Sequence, residues 1–545
     1  MSAPVYLKQH VVVEPLFNQW YAWPYLISPM TAPLFTANLH MKIMQSFVSS
    51  PQIHIAALKN PAMMGGPFIN YDASKCGEVK ALMEKTGRER AHMLKFVEAV
   101  QACDDMLRNE AKGFSLEQLY AKVPDILKGY VELVYDLNNN PSIRFIEPLL
   151  YKSPYYDETS QSVTLSLVDR DVRQFVFSTP RLPDNKCVHV HKPFRYEGYD
   201  ELFRMMYEPQ PYEYIRDLLE IAPEDEPRFE TFFTDSGPKL PGRYEGDDVR
   251  VRYLGHASVL IETSRASILI DPVISYRDAS DAALYTFADL PETIDYVLIT
   301  HNHADHCMFE TLLQLRHRIK NVIVPKNNGG SLCDPSLKLI LQHVGFENTR
   351  EIDEMESVRI PGGEIIGLPF LGEHADLAIR SKTAHFVRVE GKSILCAADS
   401  NNIEPALYKH IHDQIGNVDI LLLGMECDGA PLTWLYGPLL TVPLARKLDQ
   451  SRRLDGSNYE RGMRLIEQLN PAQVYVYAMG LEPWLQYLTS IQYTDESRPI
   501  VESNKLVDDC RSRGLVSERL FGQKDIHLGV YSEPEVIEEF EAVGV

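Results

Sequence analysis

Four metal-ligand side chains crowd into six residues, His301-Asn302-His303-Ala304-Asp305-His306, directly after a β-branched run that ends at Thr300. No other feature of the chain restricts its fold so tightly. A strand that runs into such a turn ends where loops gather. There a tight turn can direct His301 and His303 to one metal while Asp305 and His306 reach a second.

The surrounding texture says what kind of sheet this is. From residue 249 onward short runs rich in Val, Ile and Leu recur (VRVRYL, SVLIET, SILIDP, DYVLIT, NVIVP, HFVRVE, SILCAAD, DILLLGM, QVYVYAM), separated by helical segments such as the stretch CMFETLLQLRHRIK after His306. Many short strands with interspersed helices predict an α/β domain. Upstream, residues 221–248 are rich in acid, proline and glycine, which places a boundary near 236–248 and divides the chain into 1–240 and 241–545. The first part is α+β. Residues 80–140 carry apolar side chains at three- and four-residue spacing, while FIEPLLYKSP and SVTLSLVDRDVRQFVFSTP read as extended, the second by alternation of Val163, Leu165 and Leu167. His189 and His191 share one face of a strand there, but two histidines alone make no metal site, so a partly buried strand is expected.

Composition removes several function classes. Lys and Arg number 54 against 76 Asp and Glu, a net charge of −22 that repels phosphate backbones and anionic lipid, so neither nucleic acid nor a membrane surface is expected as a partner. The eight cysteines form no CxxC pair and read as reduced thiols. Prolines and Glu14 interrupt the N-terminal apolar stretch, and no run of roughly 18 apolar residues appears. The expectation is a cytoplasmic protein.

The strings YLGHASVLIET, ILIDPVIS, LITHNHADH and CAADS resemble, in order and spacing, the metallo-β-lactamase superfamily. That resemblance implies an αββα sandwich with a two-metal site at its strand ends. It makes Asp399 the carboxylate bridging both metals, Asp271 a structural aspartate, and His256 a neighbour of the site without being a ligand. Zinc hydrolases of the superfamily usually supply two further histidines. In this chain FLGEHADL offers Glu373 at the first of those places, with His374 as its rival, and VYVYAMGLEPW, at the second, has none. Glu426 in LLLGMECDG stands at a strand end instead, either as an added ligand or as a loop or N-cap acid. The full set is His301, His303 and His306 with Asp305, Glu373, Asp399 and Glu426. Such a hard, oxygen-rich shell favours metals that reach the ferric state, so two irons are expected. Cys307 and Cys427 point elsewhere if the ligands beside them point inward.

A narrower resemblance covers nearly the whole chain. YTFADLPETID, ITHNHADH, LPFLGEHADL, AADSNNI, DQSRRLDGSN and VYVYAMGLEPW, together with WYAWPYL, MMGGPFI and FIEPLLYKSPYYDE from the first part, are similar to the di-iron amino-acid β-hydroxylases of the chloramphenicol-biosynthesis type. The resemblance implies an O2-dependent non-haem monooxygenase of antibiotic-type natural-product biosynthesis. Its substrate would be an amino acid tethered to a nonribosomal peptide synthetase carrier domain, hydroxylated at the β-carbon, and a reductase or ferredoxin would be its external electron donor. It also implies a homodimer joined through 1–240, which would serve carrier docking too. The two irons would sit in 241–545 on the seven residues above, with Glu373 and Asp399 catalytic.

Docking of an acidic carrier needs a local basic surface, for which Arg316, Arg318 and Lys320, Arg380 and Lys382, and Arg452 and Arg453 are candidates. Trp434, Tyr436, Tyr477 and Trp484 are candidates for the pocket wall. Two rivals stand against the oxygenase. One is a zinc hydrolase of a thioester, phosphodiester or lactone, which would be colourless and independent of O2. The other is a non-catalytic carrier-binding scaffold, which has no use for seven metal-type side chains at strand ends.

Overall fold

In the computed structural model of the protein the described residues are 3–60, 63–168, 173–277 and 283–529. The segment 169–172, part of a stretch read as extended, lies outside them.

The N-terminal part is α+β. Strand β1 (Val11–Phe17) is buried along its whole length and lies between β2 (Trp20–Tyr21) and the antiparallel β3 (Gln161–Leu167), which β4 (Cys187–Val190) extends to a four-stranded sheet. Helix α1 (Cys76–Glu89) precedes the longer α2 (Ala91–Glu110), in which Met93, Phe96, Val97, Val100, Cys103 and Leu107 form one buried stripe at helical spacing. Two expectations here are corrected. Residues 173–180, read as extended, bend at 176–179 and join no sheet. FIEPLLYKSP is not extended throughout, because Glu147–Leu150 form a helical turn whose early proline pre-sets φ. His189 rests against Thr164 Oγ1 at 3.1 Å and belongs to no metal-type cluster among the described residues.

The C-terminal part is an αββα sandwich of two seven-stranded sheets. The first sheet is built from β5 (Val249–Gly255), β6 (Ser258–Glu262), β7 (Ser267–Ile270), β8 (Ile294–Leu298), β9 (Ile319–Pro325) and β10 (Thr349–Ile352). The second comprises β11 (Ser357–Ile360), β12 (Gly363–Leu368), β13 (Ala384–Val389), β14 (Lys392–Cys396), β15 (Ile420–Gly424), β16 (Gln473–Tyr477) and β17 (Val516–Arg519). The last strand, β18 (Lys524–Leu528), returns to the edge of the first sheet beside β5. In both sheets antiparallel pairs give way to parallel ones, β7-β8-β9-β10 and β14-β15-β16-β17, and the parallel connections carry the helices.

An apolar layer including Val251, Ile261, Ile270, Ile365, Ile394 and Leu422 fills the space between the sheets. Helices α4 (Pro405–Ile415), α6 (Tyr459–Leu469) and α7 (Arg498–Ser512) cover the second sheet. Helix α6 starts where Asn458 Oδ1 accepts the Arg461 N–H and stops at Asn470, which has φ +46°. The first sheet is covered by α3 (Phe309–Leu315) and by the N-terminal part, which share one hydrophobic cluster. That shared cluster sets the N-terminal part against the rim where the metal-type turn lies. The short helix α5 (Arg446–Ser451) lies on the chain between α4 and α6. Among the described residues no helix is long and apolar enough to cross a membrane.

Candidate metal centre

Strand ends deliver the site. The turn 301–306 follows β8, Asp399 follows β14, Glu426 follows β15, and Glu373 stands between β12 and β13. The backbone takes positive φ at Asp271 (+42°), Glu373 (+67°), Ala375 (+50°), Asp376 (+60°), Ala398 (+48°) and Cys427 (+63°). Non-glycine residues hold such conformations only where surrounding structure over-determines them, and they cluster here in the turns that carry Asp271, Glu373, Asp399 and Glu426.

The seven expected residues do meet. His301, His303 and Glu373 present ligand atoms to one point, His301, His306 and Asp399 to a second, and Glu373, Asp399 and Glu426 to a third, with atoms inside each group no more than 4.8 Å apart. Asp305 joins His306 and His256 in a fourth group. Individual distances are short: His303 Nδ1 to Glu373 Oε1 2.9 Å, His301 Nε2 to His303 Nδ1 3.1 Å, His306 Nε2 to Asp399 Oδ2 2.9 Å. Asp399 joins two of these groups, one with His301 and His306 and one with Glu373 and Glu426. Glu373, not its rival His374, faces the cluster. His374 Nδ1 instead lies 2.7 Å from the Tyr436 hydroxyl, which also lies 2.7 Å from His303 Nε2.

The donor set fits two cations. Glu373 Oε2 and Asp399 Oδ1 are buried without a hydrogen-bond partner among the described residues. Burial pushes the Glu373 and Glu426 carboxyls well above the usual range, and the Asp399 charge adds to it. Burial lowers His301 and holds His303 at about 4, so both imidazoles are neutral and free to donate lone pairs. Buried carboxylates at this separation are costly alone, and metal ions reverse that cost. Cys307 and Cys427 take no part. Cys427 Sγ faces the carbonyls of Met425 and Ser457, and neither thiol joins a metal-type cluster among the described residues.

An outer layer fixes the ligands. Asp271 accepts the Thr300 N–H at 2.7 Å and the Thr300 hydroxyl at 2.6 Å, and its Oδ2 lies 2.8 Å from His306 Nδ1. Burial would lower His306, but Asp399, Asp271 and Asp305 together raise it. His256 Nδ1 accepts the Gly480 N–H at 3.2 Å, which leaves the ring proton on Nε2, 3.2 Å from Asp305 Oδ2. His256 therefore orients Asp305 instead of offering it a lone pair. Asn302 is tied through Nδ2 to the Tyr25 hydroxyl at 3.2 Å and to Ser381 Oγ at 3.0 Å, so the N-terminal part braces the turn. Tyr25, Tyr436 and Ser381 were not singled out for these roles. They lie far from the motif in the chain, and no local pattern marks them.

A cavity of about 820 Å³ opens onto the cluster, with His303, Asp305, Glu373, Asp399 and Glu426 on its floor. Trp20, Tyr21, Trp23, Phe35, Phe175 and Phe177 from the N-terminal part line the facing wall. Of the candidate wall aromatics only Trp434 lines this cavity. Tyr436 stands behind His303, the Tyr477 hydroxyl accepts the Ala398 N–H, and Trp484 is buried against Gly255.

The basic candidates are corrected as well. Arg316 and Arg318 are buried, the first donating to the carbonyls of Phe194, Tyr196 and Val344, the second to those of Phe287, Leu290 and Pro291. They hold loops and present no docking face. Lys320 pairs with Asp295, Arg380 with Asp353, Lys382 donates to the Gly372 carbonyl and Arg452 to that of Ala375.

Known proteins resemble this chain over most of its length. The family model described as a di-iron non-haem β-hydroxylase N-terminal domain matches residues 6–237, and a β-lactamase superfamily domain matches 266–452. The 4-amino-L-phenylalanyl-CmlP-peptidyl-carrier-protein 3-hydroxylase of Streptomyces venezuelae is 39% identical over 533 residues, covering 96% of this chain and 99% of that protein. The crystal structure of CmlA, a di-iron β-hydroxylase from Streptomyces venezuelae, superposes with a TM-score of 0.90 at 38% identity over 97% of this chain and 100% of that one. A mutant form of CmlA gives 0.88 at 38% identity, covering 96% of this chain and 100% of that one.

Proposed function

The chain belongs to the family of di-iron non-haem β-hydroxylases, and from that premise we propose that it hydroxylates the β-carbon of an amino acid carried as a thioester on a nonribosomal peptide synthetase carrier domain. The observation that carries the reading is the meeting, in one cavity, of an acid-rich donor cluster with an aromatic wall supplied by the N-terminal part. His301, His303 and Glu373 would hold one iron and His306, Asp305 and Glu426 the other, with Asp399 between them. When bound and reduced by an external donor, the two irons supply the activation of O2 that insertion into a C–H bond demands.

The chain's own part is positioning and exclusion. Asp271 keeps His306 in one tautomer, His256 holds Asp305, and Tyr436 holds His303, so the donors are set before metal or substrate arrives. The aromatic wall removes water from the space above the cluster and confines the substrate so that its β-carbon faces the donors. Tethering to a carrier raises the local concentration of the aminoacyl group.

The partners follow from the same reading: a loaded carrier domain, a reductase or ferredoxin, and a second copy of the chain in the cytoplasm. The N-terminal part, 1–240, would join the two copies. Phe114, Tyr120 and Leu137 supply exposed apolar surface there, at 81%, 42% and 103% exposure. The primary test is metal analysis with a visible spectrum on protein purified without added metal. About two irons per chain, a ferric absorption lost on reduction and restored by O2, and gain of one oxygen atom by a carrier-bound amino acid are expected. Two zincs and a colourless, O2-independent thioesterase would overturn the reading in favour of a hydrolase.

A further inference from the structure

The rim of the metal-site cavity carries charge that the fold does not use. Arg446, Gln450, Arg453, Asp449 and Asp428 all line it. The two acids are occupied: Asp428 pairs with Arg498 at 2.5 Å, and the buried Asp449 accepts the Thr433 N–H and hydroxyl, each at 2.9 Å. The cations are held less: Arg453 weakly, Arg446 not at all among the described residues. Arg453 reaches only Gln450 Oε1 at 3.2 Å and Asp455 at 4.0 Å. Arg446 and its neighbour Lys447 are exposed and have no hydrogen-bond or ionic partner among the described residues. In a chain of net charge −22 most of the surface repels an acidic partner, so a place where cations line a cavity mouth is where one can approach. The unneutralised charge at this mouth is positive.

The same segment exposes apolar side chains, Val442 at 49% and Leu448 at 52%. It is not a loose loop. Asp449 fixes α5 to the helical turn Leu432–Leu435 that presents Trp434 to the cavity, and Arg452 fixes its end through the Ala375 carbonyl. A firmly held surface therefore combines unpaired cations with exposed apolar groups at the entrance to the metal site.

We propose that residues 441–453 form the carrier-docking surface and that Arg446 binds the phosphodiester through which the phosphopantetheine arm joins the carrier. This rests on the functional reading above, in which the substrate arrives on such an arm. The chemistry is matched: the arm begins in a phosphodiester anion and continues as a neutral chain ending in the thioester. An arginine at the rim holds the anion where water still reaches it, while the neutral chain descends toward Glu373 and Asp399. Val442 and Leu448 take the apolar face of the carrier, and Lys447 faces its acidic surface. The carrier is thereby assigned to the C-terminal part, not to residues 1–240. A second cavity, of about 580 Å³, adjoins the first through Met64, Gly65, Gly66, Phe175 and Ser490 and carries the exposed Lys59 at its edge. It is the competing entrance. It offers a single exposed lysine and no exposed apolar side chain of the kind Val442 and Leu448 supply at the first.

The test compares binding of phosphopantetheine and of pantetheine, which lacks the phosphate, to the iron-loaded enzyme by calorimetry. The wild type is expected to prefer phosphopantetheine by about tenfold or more, and Arg446→Ala to abolish that preference while Lys59→Ala retains it. Equal binding of the two probes by the wild type would overturn the proposal. So would loss of the preference in Lys59→Ala with Arg446→Ala unaffected. A wild-type enzyme that shows the phosphate preference yet hydroxylates no thioester, whether on a carrier or on N-acetylcysteamine, breaks the functional reading and leaves the anion site standing. Hydroxylation of both with no phosphate preference breaks the docking proposal alone.

Discussion

Two buried clusters of acids in this molecule are resolved in opposite ways. Beside the N-terminal sheet, Glu14 and Glu310 are met by arginines: Arg181 donates to both oxygens of Glu14 at 2.8 Å, Arg173 reaches Glu14 at 3.1 Å and Glu310 at 2.9 and 3.1 Å, and the Tyr21 hydroxyl donates to Glu310 at 2.7 Å. At the metal site Glu373, Asp399 and Glu426 converge, their only ion pairs among the described residues are to histidines, and Glu373 Oε2 and Asp399 Oδ1 have no hydrogen-bond partner there. The first cluster is neutralised by the chain itself. The second is arranged for cations the chain does not encode. A buried acid thus signals function when its counter-charge is missing, not simply because it is buried.

The sharpest way to break this contrast is to remove one acid from each cluster. Asp399→Ala is expected to lower hydroxylation by roughly 10³-fold or more, with iron content reduced and the fold retained. Turnover within tenfold of wild type would remove Asp399 from the metal-binding set. Glu310→Ala should do the reverse, costing about 3–5 kcal/mol of stability by leaving Arg173 under-paired, with the iron content of folded protein retained. Denaturant unfolding measures it, and a loss under 1 kcal/mol would refute the charge-pair account of this network.

Acid titration sharpens the same comparison. Burial alone would raise Glu14, but Arg181 and Arg173 outweigh it and hold the carboxyl at about 2, below its ordinary 4.5. A depressed carboxyl contributes stability that is complete above pH 4.5 and is lost as pH falls toward 2. The contribution is about 3 kcal/mol. Glu14→Gln should flatten that limb of the stability curve. Unchanged acid sensitivity in the variant would assign the loss to other groups. The smallest effect expected is that of His256→Ala, which touches no metal directly. It should weaken retention of one of the two irons by about 10–100-fold and shift the ferric absorption, with His256→Gln partly restoring both. Wild-type metal affinity would show that Asp305 needs no such support.

Much of the site was legible because it is local. The turn 301–306 concentrates its ligands within six residues, and the runs that became the strands of the sandwich announced themselves by length and β-branching. Glu373 and Glu426 required the family resemblance, since a lone acid at a strand end has several uses. What sequence could not supply were partners distant along the chain. Tyr25 meets Asn302 across 277 positions, and Tyr436 meets His303 across 133. The basic stretch at 316–320 misled for a related reason. Charge was read as exposure, whereas Arg316 and Arg318 sit among Leu315 and Ile319 and spend their donors on carbonyls inside the fold.

The cavity's composition bears on how such enzymes diversify. Its floor of metal-type side chains comes from the sandwich, and most of its aromatic wall comes from residues 20–43 and 175–178 of the N-terminal part. Reactivity and selectivity are therefore written in different stretches of the gene. A recombinant inheriting a new first half would keep the oxidising machinery and change which side chain it accepts, provided Tyr25 survives to brace Asn302.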